Sequence, residues 1–338
     1  MSGRDVFDRD RFEFRGLHPA VYMGTASDRY AGWIGQIYSE NRYAGKIGRR
    51  TRKLAGKSLE ERVLPVESVN EYFEHFRVLE VDYTFYYPLM DEKGQFTRNF
   101  HVLRSYGEHM SGCDYVILKV PQTITAQKIK LGKKYVRNDH YLDPELFVRQ
   151  FYNPAQDLLG GNLRGFIFEQ EYQRSKERTS AEEVAKGLDD FFGAVPKDER
   201  YHIELRTESY LNEAVFQVLE KHGVGQVLSH WTWLPSLQKQ FSKAGRRFFN
   251  SGKQNVIRLM TLIGTRYEEA YALAHPFDKL IDSMLQSRMI DETAELMWEG
   301  IGNGVQVNVI VNNRAGGNAP LVAQRIADRF RSTGLAVP

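Results

Sequence analysis

Eight short apolar segments, each followed by a stretch with helical spacing, constrain this chain more than any other feature. Val, Ile, Leu and Phe dominate residues 21–27, 78–86, 115–122, 165–171, 201–207, 225–230, 256–263 and 305–312. Such runs read as strands buried on both faces, the form that parallel strands take between helices. The intervening segments carry helix signals. Val69, Tyr72, Phe73 and Phe76 share a helical face, and residues 144–159 keep helical spacing. Ser180 and Glu183 make a capping box that opens a helix with Val184, Leu188, Phe191, Phe192 and Val195 on one side. Residues 212–222 form a helix stopped by Gly223, 236–244 a short one, 277–298 one long helix or two, and 319–331 the last. This alternation predicts an α/β fold, a closed (β/α)8 TIM-type barrel rather than an open doubly wound sheet. No G-x-G-x-x-G follows a strand, which weakens a dinucleotide-binding reading.

The 338 residues are read as a single domain: an N-terminal extension at 1–20 and a barrel at 21–333, with a basic insertion at 39–65 and a second insertion at 125–143. A hydrophobic fraction of 42% excludes general disorder. The longest stretch free of Asp, Glu, Lys and Arg, residues 222–238, is shorter than the roughly 20 apolar residues of a bilayer span. Five charges among the first ten residues leave no apolar signal segment, and a lone Cys113 excludes an internal disulfide. A cytoplasmic protein with no membrane partner is expected.

Side chains alternate along strands, so the polar face of each strand should point into the barrel and the apolar face toward the helices. Four acids (Glu80, Asp82, Glu169, Glu204) and three bases (Lys119, Arg206, Arg258) then face inward. Burying charge costs several kcal/mol per ion unless partners compensate, and this set is nearly balanced. It reads either as a paired plug or as the lining of a polar pocket at the C-terminal mouth, where barrels place their chemistry. His230, before Trp231 and Trp233, reads equally as a base and as a packed, hydrogen-bonded ring. Asn312, Asn313, Gly316 and Gly317 close the last strand before Pro320, and glycine amides ahead of a helix suit an anion.

Residues 1–57 hold twelve basic and six acidic residues, with seven bases and no acid between Arg42 and Lys57. Glycines interrupt this run, so it reads as a loop or a loosely helical insertion. Arg49, Arg50, Arg52 and Lys53 are its candidate nucleic-acid contacts; a solvated surface loop is the plainer alternative.

Several ordered motifs resemble the domain of unknown function 72 (DUF72, YecE-like) family. They are Gly24-Thr25 with Tyr30-Ala31-Gly32-Trp33, Leu79 to Tyr86, Lys119-Val120-Pro121, Ile203-Glu204-Leu205-Arg206, and Asn312-Asn313 with Ala315-Gly316-Gly317 and Ala319-Pro320. The resemblance implies a TIM barrel and brings no activity with it. Barrels of this shape include endonuclease IV and xylose isomerase types, an analogy to metal-assisted phosphodiester or sugar chemistry. The chain departs from the family's pattern at Ala26-Ser27-Asp28, at Glu169, and at Met260 or Thr261.

These residues fit two functions. One is a hydrolase acting on a phosphate-bearing substrate or nucleic acid. Its acid–base or metal groups would come from Glu80, Asp82, Lys119, Glu169, Glu204 and His230, which would admit a hard divalent metal as cofactor. Arg206, Arg258, Asn312, Asn313 and the Gly316 and Gly317 amides would hold phosphate oxygens. The other is a non-catalytic protein that binds an anionic small molecule in the same pocket, with nucleic acid on the basic insertion.

Overall fold

The computed structural model describes residues 12–54, 57–132 and 134–334. Residues 1–11 of the expected extension, residues 55–56 and the Lys57 side chain of the basic run, and Lys133 of the second insertion lie outside the described set. In chain order the strands are β1 (Val21–Ala26), β2 (Gly48–Leu54), β3 (Lys57–Val63), β4 (Val78–Val81), β5 (Tyr115–Lys119), β6 (Lys128–Leu131), β7 (Lys134–Arg137), β8 (Leu163–Glu169), β9 (Tyr201–Glu204), β10 (Gly225–His230), β11 (Gln254–Leu259) and β12 (Gln306–Val311). The α-helices are α1 (Val69–His75), α2 (Arg98–Gly107), α3 (Gln122–Thr125), α4 (Pro144–Phe147), α5 (Asn153–Leu159), α6 (Ala181–Ala194), α7 (Glu213–His222), α8 (Leu237–Lys243), α9 (Tyr267–Ala274), α10 (Ser287–Gly302) and α11 (Ala319–Gly334).

Eight of these strands close a barrel in the order β1-β12-β11-β10-β9-β8-β5-β4, every pair parallel. The chain therefore has the (β/α)8 TIM-type fold. β1 approaches β4 so closely that a Cβ on Gly24 would lie 1.9 Å from the Val78 carbonyl oxygen, which leaves room only for glycine. Leu79, Val81, Val116, Leu118, Phe166, Phe168 and Ile203 point outward into the core beneath the helices. Inside, Val78, Ile117, Ile167, Val227, Val256 and Ile310 form an apolar layer. One pleat further toward the strand C-termini, the inward positions are Glu80, Lys119, Glu169, Glu204 and Arg258. The charged layer thus stands on an apolar floor.

The helix signals are realised where side chains supply the caps. Ser180 and Glu183 form the reciprocal capping box of α6, and Asn212 caps α7, which Gly223 ends in a left-handed turn. Residues 144–159 are helical but pass through one π turn at Val148–Tyr152.

Several expectations differ from the structure. The second strand stops at Val81 rather than at 86. Tyr83–Phe85 form a 3-10 turn, tied down by the Thr84 hydroxyl, which donates to the Val81 and Lys119 carbonyls at 3.1 and 2.7 Å. The third, fourth, fifth and seventh strands likewise end early, at Lys119, Glu169, Glu204 and Leu259. The helical stretch at 277–298 is helical only from Ser287; before it the buried Phe277 and Met284 belong to a loop packed on Gly316, whose carbonyl accepts from Ile281 N at 2.9 Å. The basic run is neither loop nor helix but the antiparallel hairpin of β2 and β3, with Arg50 opposite Glu61 and Thr51 opposite Glu60. Between the third and fourth barrel strands, β6 and β7 form a second antiparallel hairpin.

Candidate functional site

The inward charges meet in one network. Arg258, fully buried, makes a two-pronged pair with Glu80 (Nη2–Oε1 2.6 Å, Nε–Oε2 2.7 Å). Its Nη1 also reaches Glu169 at 3.0 Å and bonds Glu204. Lys119 pairs with Glu169 at 2.6 Å, and Arg206 with Glu169 at 2.9 Å and Glu204 at 3.3 Å. The Ser229 hydroxyl donates to Glu204 at 2.6 Å. Burial pushes Glu169 and Glu204 upward, but the surrounding cations outweigh it and hold both below the usual carboxylate range. Three acids face three bases, and each is satisfied by another member. At the upper edge Lys119 lies under the Phe85 ring (4.1 Å) and Arg206 under Trp231 (4.7 Å).

The other expected site residues separate. Asp82, on the turn after β4, makes no side-chain hydrogen bond or ion pair among the described residues and lines a cavity beside the network. His230 is buried and shares a 2.9 Å hydrogen bond with Gln286, and burial lowers its pKa; it is a packed ring away from that cavity. Asn312 accepts from Arg314 N at 3.0 Å. Asn313 accepts from the Trp33 indole at 3.0 Å and from Ala319 N at 2.8 Å, at the start of α11. The Gly316 and Gly317 amides both donate to the Asn313 carbonyl, at 3.3 and 2.7 Å. Gly317 (φ +100°) lies where a Cβ would stand 2.5 Å from the Lys279 carbonyl oxygen. These glycines serve a close chain crossing, and their amides are not free for an anion.

The cavity is about 1160 Å³ and opens over the C-terminal ends of β12, β1 and β4, with Glu80 in its wall. The β2–β3 hairpin roofs it. Arg50 and Arg52 both bond Glu61, Arg52 donates to the Tyr267 hydroxyl at 2.6 Å, and Tyr271 bonds Glu61. The run's bases are therefore largely answered: Arg49 lies 3.8 Å from Glu60, Lys46 2.7 Å from Glu67 and Arg42 2.9 Å from Glu71. Lys53 stands exposed.

Two guanidiniums in the cavity wall make no direct ion pair among the described residues, although Asp28 attracts Arg29 and Asp82 attracts Arg314 at longer range. Arg314 lies 4.4 Å over the Tyr267 ring, with Thr261 Oγ1 at 3.5 Å; burial lowers its pKa. Arg29 makes no side-chain hydrogen bond or ion pair among them. Next to it Asp28, 3% exposed, accepts from the Tyr106 hydroxyl at 2.7 Å; burial pushes it up to about 6. Sequence reasoning passed over Asp28, Arg29 and Arg314. The only signals were the Ser27-Asp28 departure from the family pattern and the position of Arg314 within 312–320.

A divalent metal does not fit these groups. Glu80, Glu169 and Glu204 are each bonded to a cation, and among the described residues no set of three or more His, Cys, Asp or Glu side chains is arranged to hold a metal ion. Also among these residues, no helix is long and apolar enough to cross a membrane.

Barrel topology with a charged, cavity-bearing C-terminal mouth defines a TIM-barrel protein. Comparison with known proteins sets it more narrowly: residues 22–337 match the model of the protein of unknown function DUF72, and the chain belongs to that family. A DUF72 family protein of Thermotoga maritima is similar in fold, with TM-score 0.54 and 14% identity over 93% of this chain and 99% of that one. Another, from Enterococcus faecalis, has TM-score 0.55 and 15% identity over 92% and 95%. No curated protein matches the chain.

Proposed function

We propose that the cavity at the barrel mouth binds a small phosphate-bearing anion, with Arg314 and Arg29 supplying the charge. One observation carries this reading. Every base of the neighbouring network is ion-paired, whereas Arg314 faces the cavity beside Tyr267 with no carboxylate in direct contact among the described residues. A half-buried guanidinium without a counter-ion is costly, and a ligand anion relieves that cost. Tyr30, Tyr83, Tyr86 and Tyr267 add hydroxyls to the same lining. The function is thus binding of an anionic small molecule.

Hydrolysis of such a ligand is the second reading. It rests on Asp82, an unpartnered carboxylate in the cavity that is free to act as general base on a water.

Thermal shift and titration calorimetry with inorganic phosphate, pyrophosphate and sugar phosphates test the reading, with Arg314→Met as the control. Arg314 bonds little else, so the variant should keep its fold and lose binding. Binding that survives Arg314→Met, or no binding by the wild-type protein, would overturn it.

A further inference from the structure

Loops after β8 and β10 carry three aromatic rings above the ion network. Tyr172 and Trp233 stack with centroids 5.7 Å and planes 25° apart, and Trp231 meets Tyr172 edge-on at 5.9 Å. Tyr172 is 37% exposed and Trp233 44%, although burial of such rings is favourable by about 25 cal/mol per Å². Trp231 lies against the Arg206 guanidinium at 4.7 Å. None of the three rings lines the anion cavity; they stand across the barrel mouth from it, and a line of ion pairs lies between. Arg206 pairs with Glu204, Glu204 with Arg258, and Arg258 with Glu80, which lines the cavity.

We propose that Tyr172, Trp231 and Trp233 form a stacking subsite for a flat ring carried by the anionic ligand, so that the ligand is a nucleoside phosphate with its phosphate at Arg314 and its base on the platform. This rests on the anionic-ligand reading of the cavity. Stacked aromatic rings beside a guanidinium hold a base by its π-face and need no base-specific hydrogen bonds. A sugar ring would instead require free carboxylates or amides for its hydroxyls, and Glu169 and Glu204 beneath the platform are taken by Lys119, Arg206 and Arg258.

The test compares adenosine monophosphate with ribose 5-phosphate by calorimetry, and follows tryptophan fluorescence. A stacked base is worth about 1–3 kcal/mol, so wild-type protein should prefer the nucleotide by roughly 5- to 150-fold. Trp233→Ala, and separately Tyr172→Ala, should erase that preference while leaving ribose 5-phosphate affinity unchanged. Both side chains are exposed, and circular dichroism checks the fold. Equal wild-type affinities, or an unchanged preference in both variants, would overturn the stacking subsite alone. Binding of neither compound, or no effect of Arg314→Met, would overturn the anionic reading and this inference with it.

Discussion

Arg258 and Glu80 stand 178 positions apart in the chain and meet fork to fork inside the barrel, at 2.6 and 2.7 Å. β11 and β4 are not neighbours in the sheet, so only closure of the barrel makes this pair. The same guanidinium reaches Glu169 and Glu204, and the layer stays neutral because Lys119 and Arg206 share those carboxylates.

Removing the centre of that layer should be expensive. Arg258→Met leaves three buried carboxylates short of a cation, a loss of about 3–5 kcal/mol. Urea unfolding should show it as a lower midpoint with an unchanged slope. Adding Glu80→Gln to Arg258→Met should recover part of the loss, since it removes a stranded charge and keeps the shape. A single variant as stable as wild type would mean that the network contributes nothing.

Asp28 gives the protein a pH dependence of its own. Burial raises it from 3.8 to about 6, opposed by Arg29 and the Tyr106 hydroxyl and aided by Asp82; Tyr83 lies within the same electrostatic neighbourhood. The folded chain keeps a proton that the unfolded chain gives up near 3.8. The group's contribution is therefore whole below that value and is lost as pH rises through about 6, on the order of 2–3 kcal/mol. Asp28→Asn should flatten stability between pH 4 and 7 and raise it at pH 8. Denaturant titrations at several pH values check this, and an unaltered profile would remove Asp28 from the explanation.

Nucleic-acid binding through the β2–β3 hairpin should be weak. Glu60 and Glu61 lie against Arg49, Arg50 and Arg52, so few phosphates would be neutralised and the slope of log affinity against log salt should be shallow. Glu60→Gln with Glu61→Gln should steepen it, and Arg49→Ala with Lys53→Ala should change little in the wild-type background. A steep wild-type slope, measured by fluorescence anisotropy with a labelled duplex, would restore the hairpin as a nucleic-acid surface.

The barrel was legible because its strands are buried on both faces and therefore read as apolar runs. The inward alternation of Glu80, Lys119, Glu169, Glu204 and Arg258 was legible for the same reason, since period two holds wherever a strand is a strand. Asp82 kept that alternation on paper, yet the chain turns at Tyr83, because Thr84 caps the strand carbonyls instead of extending the ladder. The β2–β3 hairpin left no apolar period, since charges occupy both of its faces. Asp28 and Arg314 had no local pattern to betray them. Their environment is made by distant residues: Tyr106 for Asp28, 78 positions away, and Tyr267 for Arg314.

Crystals soaked in selenate, a phosphate mimic with an anomalous signal, test the anion cavity most directly. The expected result is a peak inside the cavity within hydrogen-bond distance of the Arg314 guanidinium, absent from Arg314→Met crystals prepared in the same way. A wild-type cavity without a peak, with Arg314 turned to pair with Asp82, would contradict it: the guanidinium would then have its counter-ion within the chain and no need of a ligand.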